Sequence, residues 1–491
     1  MNLITQTEGI TLLAVFGLVM IGLVYALGRK HKPTKSSFLV AGRNVSWLRG
    51  AFSIAVSWIW APAIFIVGLQ AYTQGIAGAF WFIVPNILCF FIFAPLAVRL
   101  RKLIPEGYTL PQYILKRFGG DKKTHWAFLI VFFGYQLGAI IINALAGGLL
   151  LHTLTGISFT LAVLALSGIA LIYSMIRGLE ASILTDVLQM ALILVVSVIL
   201  IPWVIINAGG FNAVIAGLGG VTGEFGNIFD SGVAYSFGIA MTLSLIAGPF
   251  GDQMFFQRSF AVKKKDITKT FIVGGLIFGL VPIILSLLGF IAAGTRIEVA
   301  DPQMVGPLVI ASFLPKAALL MFVFMAFAGL ASTLDSAYCA ISSLGSIDIY
   351  KKYINRDAKD KKVLNASRLI MIAMAIIGTG IALLQPQLLW VFLIYGALAS
   401  SALFPTILSV FWKRLTKKGA FWSIILSLLV GFPISIYANI TGNVDLIVLS
   451  AILSVGIGLI VCLIDGFRNK VAHFEFKVAP ELIAETEEAS E

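Results

Sequence analysis

The chain has 491 residues, of which 59% are hydrophobic and only 12% are charged. A soluble core does not need so much apolar surface, whereas stacked membrane spans do, and this excludes the ordinary soluble classes. The net charge of +12 does not indicate nucleic-acid binding, because the basic residues are placed in loops and not on one face.

Thirteen apolar runs are long enough to cross a bilayer, which takes about 20 helical residues. They lie near 7–28, 46–73, 77–98, 124–152, 157–176, 180–205, 234–257, 270–294, 317–349, 364–384, 387–411, 419–438 and 444–466. The connections are short, and no Pro/Gly/Ser linker separates a second folded domain. The sequence therefore predicts an all-α polytopic membrane protein of about thirteen transmembrane helices.

Basic residues cluster after alternate runs. The clusters include Arg29, Lys30, Lys32 and Lys35, then Arg99, Arg101 and Lys102, then Lys263–Lys269, Lys351–Lys362, Lys413–Lys418, and Arg468 with Lys470. With thirteen spans they all fall on one side, which the positive-inside rule makes cytoplasmic. We expect an external amino terminus and a cytoplasmic carboxyl-terminal tail, and short loops favour the plasma membrane of a bacterium.

Two of the runs contain a helix break. Residues 58–62 of the second run read WIWAP, and residues 247–251 of the seventh read AGPFG. Proline removes a backbone donor and clashes with the preceding turn. Because the two breaks are five spans apart, the two halves of the chain have opposite orientations, as an inverted repeat requires. Paired broken helices indicate the midplane site of a secondary transporter, although each is also explained as a simple kink.

A stripe of small and hydroxyl residues follows one face of the ninth run. Its members, at alternating steps of three and four, are Gly329, Ser332, Ser336, Cys339, Ser343 and Ser346. Asp335 lies at its edge and Thr333 on its other flank. Such a stripe also serves helix packing, but hydroxyls and an acid are costly in lipid unless they face a cavity, a partner or an ion. We interpret Ser332, Thr333 and Asp335 as part of a sodium site.

Several segments, in their order along the chain, together resemble the sodium:solute symporter family. They are AGRNVSWLRGAFSIAVSWIW (41–60), GYTLPQYILKRFG (107–119), RGLEASILTDVLQ (177–189), GDQMFFQRSFAVK (251–263), ASTLDS (331–336), DIYKK (348–352) and VFWKR (410–414). The resemblance implies the leucine-transporter fold, a 5+5 inverted-repeat core whose first and sixth core helices are discontinuous. The predicted units are 1–45 (an extra helix and loop), 46–205 and 234–411 (the two repeats), 206–233 (an external loop), 412–466 (two further helices) and 467–491 (the tail).

The resemblance also implies positions for the coupling ion. The family's sodium site, built from three carbonyls and two hydroxyls, falls here on Val56, Ile59, Gly329, Ser332 and Thr333. Some members hold a second sodium with an acid that corresponds to Asp186, for which Asp335 and Ser336 are the expected partners. Alternatively, Asp186 pairs with Arg177.

The solute is constrained by one departure from the family pattern. Sodium/proline symporters carry an aspartate where this chain has Trp58, which argues against proline and cationic solutes. The segments SWIWAP and YTQGIAGAFWF (72–82) are similar to the urea-transporting branch. Leu245 and Gly248 stand where sugar-type members have polar side chains, so we expect a small neutral solute such as urea.

Candidate solute contacts lie between the two breaks. They are Trp58, Trp60, Gln70, Tyr135, Gln136, Asn143, Phe250, Gln253 and Tyr395, and Asp252 is included unless it pairs with Arg258. For each aromatic residue the alternative is core packing or an interfacial belt, and for each amide the alternative is a bond between helices.

These observations predict sodium-coupled symport by alternating access. The alternatives are a proton-coupled or ion-independent permease on the same fold, with Asp186 or Asp335 carrying the proton, and sodium symport of an amino acid, sugar or carboxylate. We expect no enzyme, because the spans contain no His-Glu-x-x-His, phosphate loop or nucleophile–base pair. We also expect no cofactor or metal other than sodium, no nucleic acid and no obligate protein partner.

Overall fold

A computed structural model of the chain describes residues 3–28 and 32–469. Within these ranges the structure is helical, and its one β pairing is an isolated bridge between Val45 and Val262. The predicted basic positions Arg29, Lys30 and Lys470, and residues 470–491 of the predicted tail, lie outside the described residues.

The helices of the first half are α1 (Gln6–Gly28), α2 (Lys35–Val40), α3 (Trp47–Ser57), α4 (Val67–Leu103), α5 (Leu110–Arg117), α6 (Lys122–Thr155), α7 (Phe159–Arg177), α8 (Leu179–Asn207), α9 (Phe211–Ala216) and α10 (Ser231–Val233). Those of the second half are α11 (Ile239–Gly251), α12 (Gln253–Ala261), α13 (Ile267–Gly294), α14 (Val305–Phe313), α15 (Lys316–Ser343), α16 (Asp360–Ala382), α17 (Leu388–Phe411), α18 (Lys417–Thr441) and α19 (Val444–Arg468). Wider π turns precede α4 and α11 and extend α15, at Pro62–Ile66, Ala234–Gly238 and Leu344–Ile354.

The described residues contain 12 helices that are long and apolar enough to cross a membrane. The predicted second span is not one of these 12 helices. Its first half is α3, which has only 11 residues, and its second half, from Pro62, continues directly into α4. The turn between the second and third predicted runs is at Gln74 and Gly75, where Gly75 has a φ of 56°. A φ of this sign suits glycine, which has no Cβ. When the long helix is divided at this turn and its first part is joined with α3 as one broken span, the described residues are consistent with about thirteen transmembrane spans.

The first break is where the sequence predicts it. Helix α3 ends at Ser57, and the helical hydrogen bonds resume beyond Trp60. A new helix start leaves backbone N–H groups without partners. The side chain of Asn143 on α6 supplies one, because its Oδ1 accepts the Ala61 N–H at 2.9 Å.

The second break is displaced from its predicted position. Helix α11 remains helical through Pro249 to Gly251, and the extended residue is Asp252, with φ −105° and ψ 111°. The prediction that residues 247–251 unwind was therefore wrong in place. Proline removes one N–H but does not itself end the helix, whereas the Asp252 carboxylate caps the next helix by accepting the Met254 N–H at 2.7 Å.

Two short half-helices and one central helix determine the position of the site. The start of α3 and the end of α12 meet at the bridge between Val45 and Val262, where the Val45 N–H donates to the Ala261 carbonyl at 3.1 Å. Helix α15 packs against α3, α6, α7 and α8. Every residue from 325 to 348 is buried, so the hydroxyl stripe of this helix faces protein and not lipid.

Candidate functional site

A cluster of uncharged oxygens lies where the first break faces α15. The hydroxyl oxygen of Thr333 is 3.3 Å from the Ile59 carbonyl, 3.3 Å from the Gly329 carbonyl and 3.3 Å from the Ser57 carbonyl. Thr333 is fully buried. The structure therefore brings together three of the five predicted sodium positions and adds the Ser57 carbonyl, which the sequence did not indicate.

Acceptors exceed donors in this cluster, which we call the oxygen cradle (Ser57, Ile59, Gly329 and Thr333). A threonine hydroxyl has one proton and can donate it to one carbonyl at a time. Two of the three carbonyls close to Thr333 therefore receive no hydrogen bond from its hydroxyl at any one time. Several neutral oxygens around one point are the ligands that a hard monovalent cation prefers.

The other two predicted sodium positions are next to the cradle but have additional partners. The Val56 carbonyl accepts the Ile59 N–H at 3.0 Å, and this bond shapes the unwound turn. The hydroxyl of Ser332 donates to Asp186 Oδ1 at 2.6 Å, which leaves its oxygen lone pairs available to an ion. Whether either residue binds sodium stays a prediction.

Asp186 is buried in a polar cluster between four helices. Its Oδ2 accepts the Ser53 hydroxyl at 2.5 Å and is 3.1 Å from Nη2 of Arg258 on α12. Both charged side chains are fully buried. The alternative pairing of Asp186 with Arg177 is wrong, because Arg177 contacts Glu180 at 2.9 Å. The alternative pairing of Asp252 with Arg258 is also wrong, because the ion pair that Arg258 forms in the described residues is with Asp186.

Asp335 and Ser336 belong to the same cluster, as the sequence predicts. Asp335 accepts the hydroxyls of Tyr173 at 2.5 Å and Ser182 at 2.6 Å, and it forms no ion pair within the described part of the chain. Ser336 accepts from Arg258 Nη2 at 2.6 Å. The cluster thus contains two carboxylates and one guanidinium. Its use as a second cation site stays a prediction.

A small aromatic cavity lies between the two breaks. Trp58, Trp60 and Tyr135 line it together with Asn86, and its volume is about 10 Å³, roughly one water molecule. The Trp58 indole N–H donates to Asn86 Oδ1 at 2.9 Å. The indole N–H of Trp60 is buried and has no hydrogen-bond partner among the described residues. Asn86 was missed, although a polar residue in an apolar run was a visible signal.

The other predicted solute contacts do not line this cavity, and most of them contact other parts of the protein. Asn143 caps the first break, Gln136 donates to Asp252, and Gln253 donates to the Tyr108 carbonyl. The ring of Phe250 packs against Phe93, the ring of Tyr395 packs against Gly138, and Gln70 is buried on α4. Their roles in solute binding stay predictions.

Comparison with known proteins gives a consistent result. Residues 38–427 match the sodium:solute symporter family. The chain is 25% identical over 80% of its length to a urea-proton symporter of Oryza sativa and 25% identical over 84% to the urea active transporter of Saccharomyces cerevisiae, and it spans only 59% and 60% of those two relatives. It is 27% identical over 85% of its length to a sodium/glucose cotransporter of Vibrio parahaemolyticus, of which it spans 83%.

Solved structures show the same fold. A sodium-coupled sialic acid symporter in a substrate-bound outward-open state superimposes with a TM-score of 0.76, at 18% identity, over 93% of this chain and 98% of that one. A nucleobase-cation-symport-1 family transporter in a closed conformation gives 0.56 at 14% identity, over 93% of this chain and 98% of the other. The predicted leucine-transporter fold with two discontinuous helices is confirmed.

Proposed function

The chain belongs to the sodium:solute symporter family, and from this premise we propose that it couples the entry of sodium to the uptake of a small neutral polar solute such as urea. It is an integral membrane transporter and not an enzyme. The single observation that carries the sodium assignment is the surplus of acceptors around Thr333 Oγ1.

Sodium in the oxygen cradle would add a polar link between the first break and α15, which already pack against each other. The ion would bind the Ile59 carbonyl in the first break and the Thr333 hydroxyl on α15, so it favours conformations in which these elements are close. An ion that stabilises one conformation raises the affinity for any solute that prefers the same conformation, and the coupling is reciprocal. This is how binding at the cradle would be transmitted to the aromatic cavity.

The solute assignment rests on the aromatic cavity and on the relatives. The unpartnered N–H of Trp60 is a donor suited to a carbonyl oxygen, and the cavity lining contains no charged side chain. Because the cavity of about 10 Å³ holds about one water molecule, urea would enter it only in a conformation in which the cavity is wider. Two relatives are named as urea transporters. Trp58 stands in place of the acid of sodium/proline symporters, which supports a neutral solute.

Uptake by the purified protein in liposomes tests the proposal. We expect labelled urea to enter faster with an inward sodium gradient than with an equal potassium gradient or in protein-free liposomes. Equal rates in sodium and potassium would contradict sodium coupling. Uptake driven instead by an inward proton gradient would support the proton-coupled alternative, and sodium-driven uptake of other solutes but not urea would correct the solute alone.

Trp60→Phe should weaken urea binding because it keeps a ring in the cavity but removes the unpartnered N–H. One lost hydrogen bond is worth about 1 kcal/mol, so we expect the KM for urea to rise about fivefold. The matched control is Trp81→Phe, since the indole N–H of Trp81 is also buried without a described partner but does not line the cavity. Equal KM values in the two variants would exclude Trp60 as a solute contact.

A further inference from the structure

A second polar pair, formed by two of the predicted solute contacts, lies near the aromatic cavity. Nε2 of Gln136 on α6 donates to Oδ1 of Asp252 at 2.6 Å. The same Oδ1 accepts the Met254 N–H at 2.7 Å. Both Gln136 and Asp252 are fully buried. We call these two side chains the acceptor pair.

Each member of the acceptor pair retains an unused acceptor. Asp252 Oδ2 and Gln136 Oε1 are buried and have no hydrogen-bond partner in the described ranges. The orientation of the amide is fixed by its bond to the carboxylate, which accepts hydrogen bonds and donates none. Buried polar atoms are nearly always partnered in proteins, so two adjacent unpartnered oxygens indicate a ligand that supplies donors.

The position of the pair relates it to the solute path. The backbone of Gly248 packs against the rings of Trp58 and Tyr135, which line the aromatic cavity. Asp252 follows Gly248 by four residues, about 6 Å along the helix axis, on the second broken helix, and the Asp252 side chain is bonded to that of Gln136. The acceptor pair is therefore about one helical turn from the cavity. It lies at the start of α12, the half-helix that leads toward the predicted cytoplasmic side.

The charges around Asp252 do not explain its burial. In the described ranges Asp252 forms no ion pair; Arg258 contacts Asp186 through Nη2, and its Nη1 is buried without a hydrogen-bond partner. Its known donors are one amide side chain and one backbone N–H. A carboxylate held only by neutral donors is suited to accept N–H groups from a neutral ligand, and it resists an anionic one.

We propose that Asp252 and Gln136 form a second binding station for the solute, on its way from the aromatic cavity toward the cytoplasm. There the two free oxygens accept N–H groups of a small neutral amide. This inference rests on the proposed function and makes it more specific. It predicts selection for solutes that carry at least two N–H donors, because each free oxygen takes one.

The test compares Asp252→Asn and Gln136→Leu with the wild type in sodium-driven uptake of labelled urea. Asn places an amide NH2 group, which donates hydrogen bonds, where Oδ2 lies, and Leu removes Oε1 at similar volume. We expect the KM for urea to rise at least about tenfold in each variant, as for the loss of a bond worth about 1.4 kcal/mol. Tetramethylurea, which has no N–H, serves as competitor: its potency relative to urea should increase in both variants.

Two controls separate binding from folding. Asn439→Leu removes another buried amide, whose Nδ2 donates to the Ser435 carbonyl at 2.8 Å on α18, and it should leave the KM unchanged. Thermal stabilisation of each variant by sodium shows that the fold and the oxygen cradle are intact.

The outcomes are distinguishable. Wild-type uptake with unchanged KM and unchanged competitor ratio in both variants would overturn the acceptor pair alone. A variant that changes the half-saturating sodium concentration but not the KM for urea would also overturn it, because the pair would then bind a cation. Failure of sodium-driven urea uptake in the wild type would remove the proposed solute, and this inference with it.

Discussion

The combined substitution of Ser332 by alanine and Thr333 by valine is expected to raise the sodium concentration for half-maximal uptake about 30-fold. Each hydroxyl supplies one oxygen ligand worth about 1 kcal/mol, and the two together correspond to roughly that factor. Thr333→Val keeps the side-chain shape and removes only the oxygen that is 3.3 Å from the Ile59, Gly329 and Ser57 carbonyls. The measurement is initial uptake against sodium concentration at constant ionic strength.

A matched control exists on α16. The hydroxyl of Thr379 is buried and donates to the Ala375 carbonyl at 2.6 Å, four residues back in the same helix, so Thr379→Val removes an equivalent intrahelical bond far from the cradle. It should leave the sodium dependence unchanged. Wild-type sodium dependence in the Ser332/Thr333 variant would show that the ion binds elsewhere.

Arg258→Met is expected to lower the stability of the folded protein by about 3–5 kcal/mol. The substitution removes the only cation that contacts Asp186 in the described residues and leaves that fully buried carboxylate uncompensated. It also removes donors to Ser53 and Ser336, so contacts from α12 to α3 and α15 are lost together. Thermal unfolding in detergent, followed by size-exclusion chromatography, measures the effect.

The double variant Asp186→Asn, Arg258→Met distinguishes an unpaired charge from lost packing. Because it removes both charges, it should recover a large part of the lost stability. Arg368→Met is the control, since Arg368 donates to the Met175 carbonyl near the end of α7 and pairs with no described carboxylate. An Arg258→Met protein as stable as the wild type would mean that the ion pair contributes little.

The fold was predictable because membrane burial leaves a strong and local signal. Runs of about 20 apolar residues identify spans one at a time, and the proline at position 62 marks the first break. The second break was misplaced because its location depends on the Asp252 cap and not on Pro249. The number of spans was ambiguous only where the outer half of the broken helix runs into α4.

The site was predictable to the extent that its residues share a helix. Ser332, Thr333, Asp335 and Ser336 lie within two adjacent turns of α15, so helical spacing groups them. Arg258 was missed as the partner of Asp186 because the two are 72 residues apart, and no local pattern indicates which acid an arginine contacts. The unpartnered oxygens of Asp252 and Gln136 are visible only in three dimensions.

The most direct test of the oxygen cradle is equilibrium binding of radioactive sodium to purified protein in the absence of solute. We expect the wild type to bind sodium saturably, with no displacement by potassium, and Thr333→Val to bind it about fivefold more weakly while Thr379→Val binds normally. Equal sodium binding by the wild type and Thr333→Val would contradict the assignment of the coupling ion to the meeting point of the first break and α15.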